Sequence, residues 1–260
     1  MLRARFLFAA ATAVVLLLFT GTSHAEEPPV IAAAADLKFA LEEVSVLFKK
    51  ETGKEVKLSF GSSGNAFRQI VQGAPFQLFL SADEEYVLQL AKDGLAMDEG
   101  VLYAIGRIVL FAPHGSPLRP DAELNDLRAA INDGRLKKLA IANPEHAPYG
   151  RCAREVLIKA GLWDKVHDRL IFGDNIIQAT QFAANGSTQG GIIAYSFALA
   201  PEVSKLGIFS LIPEDWHEPL RQRMALLKGA GETAKRFYEF VQTPPARQIF
   251  IRYGFVLPGE

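Results

Sequence analysis

The feature that most constrains the fold is a repeating order of strand, short loop and helix. A short apolar strand at residues 30–33 is followed by apolar residues at helical spacing over 37–48, and Gly53 ends that helix. The next two strands are predicted at 56–60 and 76–80, each leading through a short loop into another helix. Strands and helices that alternate with short connections indicate a mainly parallel α/β sheet with right-handed crossovers.

The pattern breaks once and then restarts. An unusually long strand is predicted at residues 103–111, and it leads into a stretch rich in Pro and Gly, 113–120. A second series of strands follows, at residues 139–142, 170–172 and 191–195. Helices are predicted near the end of the chain, at residues 233–241 and 247–252. Two α/β series predict two lobes with a cleft between them, and a single nine-stranded sheet is the alternative.

The N-terminal residues 1–25 have the three zones of a secretory signal. Arg3 and Arg5 give a positive start, residues 6–19 are apolar, and small residues precede Glu26. The apolar run is shorter than the ~20 residues of a membrane-spanning helix, which argues against a retained anchor. We therefore expect export, with cleavage before Glu26.

Composition excludes several classes of partner. Hydrophobic residues make up 49% of the chain, which is enough for a well-buried core in one large domain or two small ones. The formal charge is −1, and it becomes −3 without the signal segment, which holds two Arg and no acid. Such a balance gives no electrostatic basis for binding nucleic acid or an anionic membrane. Cys152 is the only cysteine, so neither an intramolecular disulfide nor a cysteine-based metal cluster can form.

Four strand-to-helix loops offer backbone N–H groups and small side chains where a helix begins. They are residues 34–36, 61–64, 148–150 and 174–176. A helix N-terminus has unpaired N–H donors and a partial positive charge, so it can hold an anion without a cationic side chain. In open α/β sheets such loops meet at the carboxyl ends of the strands. Capping explains each loop alone, but four of them, two in each predicted lobe, predict a shared anion site.

Catalytic patterns are weak by comparison. Ser62 or Ser63 could be paired with His146 as nucleophile and base, but no Gly-x-Ser-x-Gly elbow is present. The histidines lack His-x-x-x-His spacing, and no Gly-x-x-x-x-Gly-Lys-Ser loop exists for nucleotides. We predict that the chain is not an enzyme, with a secreted hydrolase as the alternative.

Several motifs in a fixed order resemble one known family. They are residues 32–37, 61–64, 73–83, 143–150 and 250–255. From about residue 30 to 257 they are similar to the periplasmic molybdate-binding proteins of ABC importers, the ModA family. The resemblance implies a type II-like periplasmic binding protein whose two lobes are joined by two crossing strands. It implies lobe I from residues 28–107 plus 219–260 and lobe II from 108–218. These follow the signal peptide that the N-terminal pattern predicts at residues 1–25, cleaved after Ala25.

The same resemblance implies what the protein binds and where. The ligand would be molybdate, and also tungstate, held in the cleft by N–H and hydroxyl groups, with no cofactor. The partner would be the membrane permease of an ABC importer, and we expect a monomer in the periplasm. The family's binding positions match Ala35, Asp36, Ser62, Ser63, Tyr149 and Ile176, with Tyr195 one residue beyond a Tyr that some members use. Among these, Ser63, Tyr149 and Ile176 would hold the metal in the form of its oxyanion.

Asp36 departs from the family pattern, because an ionised carboxylate repels a dianion. In one interpretation it turns inward to cap its own helix, paired with Lys38, and leaves its backbone N–H to the ligand. In the other it accepts a proton from a protonated oxyanion such as hydrogen phosphate. Molybdate is fully deprotonated at neutral pH and presents only acceptors, so the first interpretation agrees better with the other loops.

Overall fold

The computed structural model describes residues 27–259. The predicted signal peptide and its cleavage site after Ala25 lie outside the described residues. Of the helices within 27–259, none has both the length and the apolar character that crossing a membrane requires.

Two five-stranded sheets form the framework of the molecule. The first contains β1 (Val30–Ala34), β2 (Lys57–Gly61), β3 (Phe76–Ser81), β4 (Val101–Gly106) and β10 (Leu220–Leu226). Their order across the sheet is β2-β1-β3-β10-β4. β1 runs parallel to β2 and β3, whereas β10 is antiparallel to β3 and β4. We call this sheet and its helices lobe I.

The second sheet repeats this design with a different part of the chain. It contains β5 (Ile108–Pro113), β6 (Leu139–Ala142), β7 (Leu170–Gly173), β8 (Gly191–Ala194) and β9 (Gly207–Leu211). The order is β7-β6-β8-β5-β9, with β6 parallel to β7 and β8, and β5 antiparallel to β8 and β9. We call it lobe II. The two-lobed, mainly parallel α/β class is thus confirmed, and the alternative of one nine-stranded sheet is wrong.

Helices flank both sheets. They are α1 (Lys38–Thr52), α2 (Ser63–Val71), α3 (Glu84–Lys92), α4 (Asn125–Asn132), α5 (Pro148–Lys159), α6 (Trp163–Val166), α7 (Ile176–Ala184), α8 (Tyr195–Leu199), α9 (Pro201–Ser204), α10 (Glu232–Val241) and α11 (Pro244–Arg252). Local sequence explains several ends. α1 stops at Gly53, whose φ of 70° suits a residue without Cβ. α7 begins after Asn175, whose side chain accepts hydrogen bonds from the N–H groups of Ile177 and Gln178.

The C-terminal helices return to lobe I and complete its core. The ring of Phe48 on α1 packs edge-to-face against Phe237 and Phe240 of α10, with ring centroids 5.1 and 5.3 Å apart. Phe48 and Phe237 are fully buried. Each buried Phe stabilises the fold by about 1.5–3 kcal/mol, so this contact ties the chain end firmly to the first helix.

Two predicted strands differ from the structure. The predicted strand 103–111 is two strands, because β4 belongs to lobe I and β5 to lobe II, and Arg107 lies between them. This is one of the places where the chain crosses between the lobes; it returns between β9 and β10. The predicted strand 191–195 ends at Ala194, and Tyr195 is the first residue of α8.

Candidate ligand-binding site

A small pocket of about 190 Å³ lies where the two lobes meet. It is lined by Ala34, Ala35, Asp36, Gly61, Ser62, Ser63, Ala82, Ala147, Pro148, Tyr149 and Ile176. Six of the seven residues predicted to bind a ligand are therefore brought together at one place. The seventh, Tyr195, is not among the lining residues.

The pocket is built from the starts of helices that follow parallel strands. After β1, Ala35 and Asp36 lie in a short 3-10 turn that leads into α1. After β2, Ser62 is the N-cap and Ser63 the first residue of α2. Amides in the first turn of a helix have no partner within that helix, so they can donate to a ligand.

Lobe II supplies the other two helix starts that border the pocket. Pro148 is the first residue of α5 and lacks an N–H group, so Tyr149 carries the first donor of that helix. Ile176 is the first residue of α7. Together the four helix starts surround the pocket with partial positive charge. The lining residues include neither Lys nor Arg, so positive charge there comes from the backbone.

The two serines of the second loop have different partners. The Ser63 hydroxyl oxygen accepts a hydrogen bond of 3.0 Å from the backbone N–H of Ala82, which leaves its own hydrogen for a ligand. The Ser62 Oγ lies 3.0 Å from Nδ1 of His146 in lobe II. Ser63 is therefore the serine whose hydroxyl can donate into the pocket, and Ser62 connects the lobes.

Asp36 is the centre of a buried hydrogen-bond network. Its side chain is almost fully buried, at 1% exposure. The Oδ2 atom accepts hydrogen bonds from the Tyr149 hydroxyl (2.9 Å) and from Nε2 of Gln222 on β10 (2.7 Å). The Tyr103 hydroxyl in turn donates to Oε1 of Gln222 at 2.8 Å. The network joins both lobes, because Tyr149 belongs to lobe II and the other three residues to lobe I.

Burial controls the ionisation of this network. Loss of water raises the pKa of Asp36 from 3.8 to about 6, although the hydrogen bonds from Gln222 and Tyr149 act in the opposite direction. Burial also raises the pKa of Tyr149 and of Tyr103 well above the usual value, and the negative charge of Asp36 adds to this. Both phenols are consequently neutral donors at physiological pH.

The capping interpretation of Asp36 is wrong. The 3-10 turn at Ala35–Leu37 has no side-chain cap, and the Asp36 carboxylate points across the cleft to Tyr149 instead. Lys38 does not pair with Asp36, because its ammonium group forms an ion pair with Glu42 one turn along α1.

The structure places Tyr195 away from the pocket. Its ring packs edge-to-face on Phe209, with centroids 5.8 Å apart, and its N–H donates to the carbonyl of Arg107 at 2.9 Å. The next residue, Ser196, reaches the network, because its hydroxyl donates to the backbone carbonyl of Asp36 at 2.8 Å. The strand ends one residue earlier than predicted, and the helical turn directs Ser196 toward the site.

Sequence reasoning missed Gln222 and Tyr103. One signal for Gln222 was present: Leu220, Gln222 and Met224 lie on the same, fully buried face of β10. An amide between two apolar residues on a buried strand face needs hydrogen-bond partners. Those partners could not be identified from the sequence, since Asp36 lies 186 residues away from Gln222.

Contacts between the lobes close the pocket. The N–H of Gly64 donates to the carbonyl of His146 at 3.0 Å. The side chain of Arg151 donates to Asp83 at 2.8 Å, and Asn65 to Asp174 at 3.3 Å. These three contacts each join lobe I to lobe II, so the structure represents a closed arrangement.

A serine, a histidine and an aspartate form a row of neighbouring side chains at the rim of the pocket. Beyond the contact of Ser62 with His146, Nε2 of His146 lies 3.7 Å from Oδ1 of Asp174. That distance is too long for a hydrogen bond, and the Asp174 side chain is 59% exposed. In a catalytic triad the acid is buried and holds the imidazole firmly, which is not the case here. Within residues 27–259 no group of three or more His, Cys, Asp or Glu is arranged to hold a metal ion.

Two α/β lobes with a pocket at the carboxyl ends of their parallel strands define a solute-binding protein. Comparison with known proteins specifies the family. A family model described as bacterial extracellular solute-binding protein matches residues 29–256. The chain belongs to this family and, within it, to the ModA proteins described next.

Two relatives and one solved structure carry that assignment. The molybdate-binding protein ModA of Rhodobacter capsulatus is 36% identical over 251 residues, which cover 95% of this chain and 96% of the relative. The ModA of Escherichia coli is 34% identical over 244 residues, which cover 91% of this chain and 92% of that relative. The solved periplasmic molybdate-binding protein of Azotobacter vinelandii superposes with a TM-score of 0.79 at 30% identity, covering 88% of this chain and 99% of that one.

Proposed function

We propose that this protein captures molybdate in the cleft between its lobes for delivery to an ABC importer. The observation that carries the proposal is the convergence of four helix starts, two from each lobe, on one small pocket. A pocket surrounded by donors suits an oxyanion that presents only acceptors. The identity to two molybdate-binding relatives over nearly their whole length supports this choice.

Within the pocket we assign the contacts to backbone and hydroxyl donors. The oxygen atoms of the anion would accept hydrogen bonds from the Ser63 hydroxyl and from the N–H groups of Tyr149 and Ile176. The 3-10 turn would add the N–H groups of Ala35 and Asp36. Ser62 would act by holding His146 and thereby the closed arrangement. Tungstate has nearly the same size and charge as molybdate, so we propose that it binds too.

The relatives also support a location and a partner. This chain matches a family of bacterial extracellular solute-binding proteins, and we propose that it is exported, cleaved after Ala25 and active as a monomer in the periplasm. Its partner would be the membrane permease of an importer. We propose that the protein has no catalytic activity and needs no cofactor.

Calorimetric titration with molybdate, tungstate, sulfate and phosphate tests the ligand. We expect tight binding of the first two anions and weak or absent binding of the others. Tight phosphate binding without a response to molybdate would refute the proposal.

A matched pair of serine variants tests the assigned contact. Ser63→Ala should weaken molybdate binding about tenfold, because one hydrogen bond to a charged group is worth about 1.5 kcal/mol. Ser59→Ala, on the exposed side of the preceding strand, should leave the affinity unchanged. Equal affinities for both variants would show that Ser63 is not a contact.

The contact of Ser62 with His146 favours one rival function, a secreted hydrolase. A hydrolase would turn over a small chromogenic ester and lose that activity in Ser62→Ala. We expect no turnover above the rate in buffer for either protein. Turnover that disappears in the variant would favour the hydrolase.

A further inference from the structure

Asp36 presents an unusual combination in a site for anions: it belongs to the residues that line the pocket, and its side chain is a buried carboxyl group. If it were ionised, it would repel a dianion at short range in a region from which water is excluded, and binding would be strongly opposed. The protein therefore needs a way to make this side chain compatible with its ligand.

The two oxygen atoms of Asp36 have different surroundings. Oδ2 accepts two hydrogen bonds, from Tyr149 and Gln222. Oδ1 is buried and has no hydrogen-bond partner among the described residues. Because both neighbours of Oδ2 are donors, a proton on the carboxyl group belongs on Oδ1. There it would form an O–H donor with no partner in the protein, on a residue that lines the pocket.

Among residues 27–259 no cation forms an ion pair with Asp36. The carboxyl group is contacted by the Tyr149 phenol from α5 and the Gln222 amide from β10, with the Tyr103 phenol of β4 behind Gln222. The backbone N–H of Asp36 also acts on its own carboxyl group, whereas the Ser196 hydroxyl from α8 contacts only the backbone carbonyl of Asp36. Cations of the surrounding elements pair elsewhere: Lys38 with Glu42, Arg151 with Asp83, and Arg107, which follows Gly106, with Glu214. The raised pKa of Asp36 has burial as its main cause and agrees with this geometry.

We propose that Asp36 holds the oxyanion as a neutral carboxylic acid, with its Oδ1–H group as a hydrogen-bond donor, so that anion capture takes up one proton from solvent. The inference rests on the proposed function, since it concerns the same site. It explains how a residue with a buried carboxyl group can belong to the lining of a pocket for a ligand that only accepts hydrogen bonds.

The affinity for molybdate should depend on pH in a defined way. In the closed, ligand-free structure the pKa of Asp36 is about 6, and opening of the cleft exposes its carboxyl group to water and lowers that pKa. Above about pH 6 each binding event must therefore bring a proton with it. The dissociation constant should then rise close to tenfold per pH unit between about pH 7 and about pH 8.5. Below the pKa of Asp36 the proton is already in place, and this dependence disappears.

Calorimetry of the wild-type protein measures the proton directly. Molybdate is titrated at about pH 7 in several buffers that differ in ionisation enthalpy and contain neither phosphate nor sulfate. The slope of observed enthalpy against buffer enthalpy gives the number of protons taken up, and we expect close to one. Molybdate binding with a slope of zero would overturn the inference and leave the proposed function intact. No molybdate binding at any pH would overturn both.

Two variants assign the proton to a residue. Asp36→Asn keeps an acceptor for Tyr149 and Gln222 and places an N–H₂ donor where the acid would have its proton. We expect this variant to bind molybdate with no proton uptake and no change between about pH 7 and about pH 8.5. His114→Gln changes a histidine that is not among the residues lining the pocket and should retain the proton uptake of the wild type. Uptake that persists in Asp36→Asn, or vanishes in His114→Gln, would contradict the assignment.

Discussion

At the scale of single residues, Asp36 couples stability to pH. Its pKa is raised from 3.8 to about 6 in the closed structure, so the closed folded state binds the Asp36 proton more tightly than the unfolded chain does. The stability from this proton is fully present below about pH 4 and is lost as the pH rises through about 6. A shift of this size corresponds to roughly 3 kcal/mol of unfolding free energy.

Asp36→Asn should therefore stabilise the ligand-free protein in a pH-dependent way. At about pH 8 the variant lacks the buried charge, and we expect its free energy of unfolding to exceed that of the wild type by up to about 3 kcal/mol. At about pH 4 the two proteins should differ little, because the wild-type carboxyl group is then neutral. Urea denaturation at both pH values measures the difference. The same gain in unfolding free energy at both pH values would show that the charge of Asp36 is not the cause.

The sequence located the helix starts but not the directions of the side chains. The loops that hold Ser63, Tyr149 and Ile176 were recognised as helix starts, which local sequence determines, and the structure brings these loops to one pocket. The direction of the Asp36 side chain depends on Tyr149, 113 residues away, and on Gln222, 186 residues away. Such distant partners leave no local pattern in the chain.

At the scale of secondary structure, the periodicity of apolar residues located most strands and helices. The split of residues 103–111 was not visible, because β4 and β5 both carry buried apolar residues and only Arg107 separates them. A strand that continues from one sheet into another keeps the same local composition. The change of sheet is decided by which strands pair with each half, and those partners come from distant parts of the chain.

Gly106, the last residue of β4, makes room for the Asp36 network. A Cβ at this position would lie 2.3 Å from the Tyr149 hydroxyl and 2.8 Å from Nε2 of Gln222. Gly106→Ala should displace both donors, weaken molybdate binding and cost about 1–3 kcal/mol of stability. Gly61→Ala is the control for stability, because an added Cβ there meets no atom within 4 Å. Equal unfolding free energies for the two variants would contradict this role of Gly106.

At the scale of the whole molecule, closure of the lobes depends on close backbone contact at Gly64. A Cβ added there would lie 2.7 Å from the carbonyl oxygen of His146, which belongs to the other lobe. Because that atom is backbone, it cannot move aside as a flexible side chain would. Closing the lobes therefore requires a residue without a side chain at this position.

Gly64→Ala should impair closure more than folding. We expect the affinity for molybdate to fall at least about tenfold, while small-angle X-ray scattering shows that the ligand no longer makes the variant more compact. Asn65→Ala is the matched control, because it removes exposed side-chain contacts to Asp174 and Arg68 and should lower the affinity only slightly. A Gly64→Ala protein that closes like the wild type would refute this role.

The central claim is that the helix starts of both lobes hold molybdate between them. Crystals grown with molybdate and measured at the molybdenum absorption edge test it most directly. We predict one strong anomalous peak in the pocket, with the oxygens of the anion within hydrogen-bond distance of the Ser63 hydroxyl and of the N–H groups of Tyr149 and Ile176. A closed protein with no peak in the pocket, or with its molybdenum bound only elsewhere, would contradict the claim.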